Sequence, residues 1–119
     1  MSMNFCIIGG DLRNFFLAKG LSKEKHEVKI LGFDKLENFK ECEKYDEMIK
    51  TSDNIVLPMP FSKDDIYLNM PFSNKAIAIK EICYYLEDKT IFVGNMQQEL
   101  KEELHKKHNQ IIDFMQKEG

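Results

Sequence analysis

Hydrophobic residues along this chain fall into short runs that alternate with stretches of helical spacing. Phe5 to Ile8 is a nearly continuous apolar run, the pattern of a strand covered on both faces. Leu12, Phe15, Phe16 and Leu21 follow at helical spacing, with Gly20 and Ser22 near the exit. Val28, Ile30 and Leu31 form a second run, stopped by Gly32. A weaker helical pattern, carried by Leu36, Phe39, Tyr45, Met48 and Ile49, lies among many charges. Asn54 to Leu57 predicts a third strand ended by Pro58, and Ile91 to Val93 a fourth ended by Gly94. Ile111, Ile112 and Phe114 suggest a fifth.

Strand and helix in regular alternation predict an α/β domain built on a mainly parallel sheet with helices on both faces. Right-handed crossovers make an open doubly wound sheet the natural solution, flavodoxin- or Rossmann-like, with strand order 2-1-3-4-5. Between Pro58 and Ile79 the rhythm breaks. Three prolines (Pro58, Pro60, Pro71) precede or interrupt Ile66, Leu68, Met70 and Phe72, which alternate with polar or small residues, as do Ile77 and Ile79. This predicts a β-hairpin inserted after the third strand, turning near Asn74 and followed by a short helix around Ile82, Cys83 and Leu86. A continuous helix from Asn74 to Glu87 fits the same apolar positions and stays open as the rival.

The last helix carries the fullest local code. Asn95 is placed to cap it and Gln98 stands three positions on, imitating a capping box. Glu99, Glu102 and Glu103 come early and Lys106 and Lys107 late, the order that suits the macrodipole. Met96, Leu100 and Leu104 supply its apolar stripe. After the fifth run come only Gln116-Lys117-Glu118-Gly119. A doubly wound sheet normally covers its last strand, so the chain is expected to be the first, substrate-side domain (1–119) of a longer two-domain protein.

Composition narrows the classes. A chain of 119 residues with 43% hydrophobic and 31% charged positions is one ordinary globular domain. A net charge of −3 argues against nucleic acid and against an anionic membrane surface. No segment approaches the roughly 18 apolar residues of a membrane span. Three cysteines (Cys6, Cys42, Cys83) without CxxC spacing or a secretory signal are expected to be reduced packing thiols of a cytosolic protein.

The chemistry concentrates where the first apolar run ends, at Ile7-Ile8-Gly9-Gly10-Asp11-Leu12-Arg13. Glycines, a helix start and a guanidinium at one point suit an anion. The glycines serve either close ligand approach or only a tight turn, and Asp11 either the site or only the helix cap. Arg13 opposes the macrodipole in its first turn, so it either contacts a ligand or pairs with an acid. In a doubly wound sheet, ligands bind outside the carboxyl ends of the strands, where the order reverses. Gly9, Gly10, Asp11 and Arg13 would line one side of that crevice; Pro58, Met59 and Ser62 the other. Asp34 and Asn95 stand farther along the rim. A dinucleotide fingerprint requires further glycines where this chain has Asp11, Leu12 and Arg13, so no NAD-type cofactor is expected on this domain. A flavin phosphate loop would require hydroxyl residues there, and a phosphorelay receiver an aspartate ending strand three. Glu102, His105 and His108 imitate metal spacing but read as a solvated charged face. Tyr84 and Tyr85 read as straddling core and surface. No catalytic set is visible.

Ile8-Gly9-Gly10-Asp11-x-Arg13, Gly32-Phe33-Asp34, Leu57-Pro58, Phe72-Ser73-Asn74 and Gly94-Asn95, in this order and spacing, resemble the amino-terminal domain of the dipicolinate synthase A subunit. The likeness covers nearly the whole chain; the loop Pro58-Met59-Pro60-Phe61-Ser62 departs from it in lacking Gly and Thr. The resemblance implies a spore-forming bacterium, with the protein in the mother-cell cytoplasm, and NADP-dependent oxidation of a dihydrodipicolinate-type precursor branching from the lysine pathway. It also implies that NADP sits on a carboxyl-terminal Rossmann-type domain, and that the flavoprotein-like B subunit of dipicolinate synthase is a partner. A dicarboxylate substrate wants a guanidinium, helix-start N–H groups and side-chain donors, which Arg13, the Gly10-Asp11 backbone, Ser62 and Asn95 would supply. The alternative is a non-catalytic flavodoxin-like module that binds a small anion or a partner protein. A homo-oligomer is compatible with either.

Overall fold

The computed structural model describes residues 3–36 and 44–113. Phe39, Cys42, Phe114 and the stretch 116–119 lie outside the described residues. Five strands, β1 (Asn4–Ile8), β2 (Glu27–Leu31), β3 (Asn54–Val56), β4 (Thr90–Val93) and β5 (Gln110–Asp113), form one parallel sheet in the order β2-β1-β3-β4-β5. Helices α1 (Leu12–Lys23), α2 (Tyr45–Lys50), α3 (Ile79–Tyr85) and α4 (Gln98–Lys106) lie between the strands. The strand order read from the alternation is the one observed.

Register explains why the strands read as continuous apolar runs. Ile30, Ile7, Val56, Phe92 and Ile112 stand in one row across all five strands. This row and its neighbour containing Val28 and Phe5 pack with Phe15, Ala18 and Leu21 of α1. The alternate rows, with Cys6, Ile8, Ile55, Ile91 and Val93, pack against Met48, Ile49, Ile82 and Leu104 of the other three helices. β1, β3 and β4, inside the sheet, are therefore covered on both sides, while the edge strands β2 and β5 keep Glu27, Lys29 and Gln110 among their apolar residues. Among the described residues, Cys6 and Cys83 lie inside this packing, and burial pushes the Cys83 thiol up to about 11.

Two local expectations are corrected. The insert is not a hairpin with paired strands; its limbs meet at one antiparallel bridge, Tyr67 to Ala78, with Leu68 N–H donating to Ile77 O (3.0 Å) and Ile79 N–H to Ile66 O (2.9 Å). From Leu68 onward its backbone turns away to bond the ends of β1 and β2, so the hairpin ladder is never extended. Nor does a helix begin at Asn74, since α3 starts only at Ile79, beyond the bridge. The second correction concerns α4, which starts at Gln98 after the cap position Gln97, without a side-chain cap bond. Asn95 instead takes a left-handed backbone (φ 68°) and donates its N–H to Asp113 Oδ1 at 3.2 Å. Asp113 is held in turn by Lys101 Nζ at 2.7 Å, so a contact at the end of β5 outweighs the local capping pattern. Met96 is buried just before the helix, and Leu104 within it.

The Glu102, His105, His108 spacing does not lie on one helix face, because α4 ends at Lys106 and His108 has φ 66°. Tyr84 is exposed and Tyr85 half-buried, with its ring on Tyr45 at 5.8 Å between centroids.

Candidate functional site at the carboxyl rim of the sheet

The strand order reverses between β1 and β3, and the turns leaving these strands carry most of the residues singled out from sequence. Gly9 and Gly10 both adopt positive φ (59° and 89°), which favours glycine. What approaches them is the protein itself. A Cβ on Gly9 would stand 2.6 Å from Met70 Cγ and 2.9 Å from Asn69 O. One on Gly10 would stand 2.4 Å from Asn14 Nδ2. Gly10 N–H donates to Asn69 O at 2.9 Å, and Gly9 N–H to Leu31 O at 2.7 Å. The insert therefore lies across the ends of β1 and β2, with Leu68, Asn69 and Met70 all buried.

Further along, the same segment is latched to the end of β2. Lys35 N–H donates to Phe72 O (2.7 Å), Ser73 Oγ donates to Asp34 Oδ1 (2.5 Å), and Asn74 N–H donates to Asp34 Oδ2 (2.9 Å). Burial raises the Asp34 carboxyl, but the Ser73 hydroxyl and Asn74 N–H outweigh it and hold its pKa below the usual range. Asp34, read from sequence as an outer rim residue, is the latch of the insert.

Asp11 caps α1, accepting from Arg13 N–H at 2.8 Å. Its carboxylate thus occupies the helix start, the place where an external anion would bind. Arg13 folds back on it, Nε donating at 2.9 Å and Nη2 at 2.8 Å to Oδ2. The hydrogen bond to Arg13 lowers the Asp11 pKa and raises that of Arg13. A guanidinium has five N–H groups, and Asp11 takes the Nε–Nη2 edge. The Arg13 side chain is 70% exposed, so the end-on edge faces solvent.

Ser62 and Asn95 come together elsewhere. With Phe61, Asp65, Ile79, Gln97, Glu99, Leu100 and Glu103 they line a cavity of about 210 Å³ beyond β3 and β4. Gly9, Gly10, Asp11, Arg13 and Pro58 are not in its lining. The Ser62 hydroxyl is committed to its own turn, bonding Tyr67 O (2.5 Å) and accepting from Asp65 N–H (3.0 Å). Asp64 closes that turn, its pKa lowered by the Tyr67 and Ile66 N–H groups. Among the described residues that line it are three carboxylates and no lysine or arginine. The residues proposed from sequence thus divide between the Asp11–Arg13 pair and an acid-rimmed cavity.

Asn14 was missed. It is buried on α1 and its Nδ2 donates to Gly9 O (3.1 Å) and, at 3.5 Å, to Leu57 O, tying the exits of β1 and β3. Asn14 lies in the first turn of α1, where asparagine is ordinary, so no local pattern marks it.

A parallel five-stranded sheet of this order, with a glycine turn leaving β1, defines a Rossmann-like doubly wound domain. Residues 4–115 match the family of dipicolinate synthase A-subunit N-terminal domains, and the chain belongs to that family. Two similar solved structures are dipicolinate synthase, A chain, from Bacillus subtilis (TM-score 0.80, 20% identity) and the dipicolinate synthase A subunit from Bacillus halodurans (TM-score 0.77, 22% identity). They cover 98% and 97% of this chain, while this chain spans 41% of each of theirs. At these identities the structures establish the fold. Among curated proteins no sequence matches the chain.

Proposed function

We propose that this domain is the substrate-side half of a dipicolinate synthase A subunit that oxidises a dihydrodipicolinate-type dicarboxylate to dipicolinate with NADP during sporulation. Family membership over residues 4–115 supports the reaction class. The observation that carries the substrate assignment is Arg13, a guanidinium at the carboxyl end of the sheet whose inner edge is set by Asp11 and whose outer edge faces solvent. That edge offers two parallel donors to one carboxylate of the substrate. Ser62 and Asn95, at the acid-rimmed cavity, serve in this reading as neutral wall and not as carboxylate ligands.

The turn after β1 does not suit a dinucleotide. Met70 and Asn69 fill the space over Gly9, and the Asp11 carboxylate stands where a pyrophosphate would be bound. In this reading NADP belongs to a second domain, and hydride removal is the cofactor's chemistry. The part of this chain is to hold and orient the substrate in the cleft between domains, in the cytoplasm of the mother cell, with the B subunit as partner. No helix among the described residues is long and apolar enough to cross a membrane.

The test is steady-state kinetics on the two-domain enzyme. Arg13→Ala is expected to raise the substrate KM about tenfold, the lower end for a charge-assisted carboxylate bond, with kcat little changed. An unchanged KM refutes the assignment. The isolated 1–119 domain is expected to show no turnover with NADP.

A further inference from the structure

At the end of the sheet opposite the rim, Lys50, Tyr84, Tyr85, Glu87, Lys89 and Lys107 line a cleft of about 540 Å³. They come from the last residue of α2, the end of α3 and the residues leading into β4 and β5. Lys107 Nζ donates to Cys83 O (2.6 Å) and Tyr84 O (2.9 Å), and Lys89 Nζ to Ser52 O (2.6 Å) and Lys50 O (3.3 Å). Lys89 and Lys107 are half-buried, so each ammonium is fixed by two carbonyls and keeps one of its three N–H donors. Among the described residues, none of the three lysines is paired with a carboxylate. Lysines at helix ends ordinarily only answer the carbonyls there. Here they exceed that need. At most about half an elementary charge at each of the ends of α2 and α3 offsets one positive charge. Glu87 offsets a second, and α4 has Lys106 in its own last turn. One positive charge is left over, in a chain whose net charge is −3.

The aromatic part of the cleft is also unspent. Tyr84 is 76% exposed, and its ring stands at 88° to that of Tyr85, with centroids 5.1 Å apart. Lys107 Nζ lies 5.9 Å from the Tyr84 centroid, and Lys50 Nζ 5.8 Å from that of Tyr85. The two rings therefore form a corner with an ammonium beside each. A flat ring laid against Tyr84 gains stacking area, and a carboxylate on the same molecule reaches an ammonium with a donor to spare. An aliphatic carboxylate would leave the tyrosine in water, and an uncharged ring would leave the surplus charge unanswered. The volume is in the range of small-molecule sites. We infer that this cleft binds a planar aromatic carboxylate, at a site separate from Arg13.

Isothermal titration of the whole protein that carries this domain, without NADP, tests it. Dipicolinate is the aromatic carboxylate, and acetate supplies a carboxylate without a ring. The titrations are made on the Arg13→Ala variant, which removes the rim contact proposed above. Dipicolinate is expected to bind it saturably with a Kd below about 1 mM, and acetate at least about tenfold more weakly. Adding Tyr84→Ala or Lys50→Gln is expected to weaken dipicolinate about fivefold, the size of a lost aromatic or cation contact. Both side chains are exposed, so the thermal midpoint is expected to stay where it was. A second measurement reads the place directly: nitration of Tyr84, followed by peptide mass in the unaltered protein, is expected to slow with dipicolinate and not with acetate. Absence of saturable binding to Arg13→Ala overturns the inference, and if the unaltered protein does bind, the rim assignment stands without the cleft. Acetate binding as tightly as dipicolinate, affinity indifferent to both cleft substitutions, or Tyr84 nitrated at the same rate with and without dipicolinate each overturn it too.

Discussion

The two halves of the carboxyl rim use the same kind of local sequence to opposite ends. At β1 and β2, glycine turns leave space that the chain itself fills with Asn69 and Met70, and Asp34 latches the segment that carries them. At β3 and β4, a proline-rich loop and a left-handed Asn95 leave a cavity of about 210 Å³ open between carboxylates. Glycines at a strand exit are therefore not evidence of room for a ligand. They mark close approach, and the approaching group is known only once the fold has brought it there.

Substitutions that fill the closed half sharpen the contrast most. Gly9→Ala puts a Cβ into Met70 and Asn69 at a positive φ, and is expected to cost about 2–4 kcal/mol from overpacking and backbone strain. Urea unfolding would measure it. A loss below 0.5 kcal/mol, about the scatter of an ordinary surface substitution, would mean that Met70 does not close this turn. Asn14→Ala is expected to cost less, about 1–3 kcal/mol, because the Gly9 and Leu57 carbonyls lose a buried donor. A polar substitution in the open half, Glu103→Gln, is expected to leave stability within about 0.5 kcal/mol by the same measurement.

The smallest effect concerns the latch. The folded-state pKa of Asp34 is depressed, so its contribution is present above the unfolded carboxylate value and is lost as pH falls through the folded one. Below about pH 4, the ordinary aspartate range, the insert is expected to become more sensitive to pepsin before the sheet unfolds. Asp34→Ala is expected to show that sensitivity at neutral pH to an ordinary protease. Equal cleavage of variant and parent would place the latch elsewhere.

The sheet was legible because its inner strands are short apolar runs and the first four strands are punctuated by Gly9, Gly32, Pro58 or Gly94. The helices were legible from their spacing. The insert was not, since Ile66, Leu68, Met70 and Phe72 alternate like a strand, while past the Leu68–Ile77 bond Asn69 O accepts from Gly10 N–H after β1 and Phe72 O from Lys35 N–H after β2. Asn95 misled for a related reason: its capping pattern is local, and the bond to Asp113 that overrides it reaches β5. The expectation that Ser62 and Asn95 share a site with Arg13 rested on their common rim. That rim is long enough to hold the Asp11–Arg13 ion pair and a separate carboxylate-lined cavity.

Sequence alone determined the strand order, the position of the rim and the presence of a guanidinium beside the opening turn. These follow from hydrophobic period and chain connectivity, both local properties. Tertiary structure decided which rim space is filled and which donors are already spent. Each of those depends on residues far apart in the chain, such as Gly10 with Asn69 and Asp34 with Ser73, whose meeting no local pattern encodes.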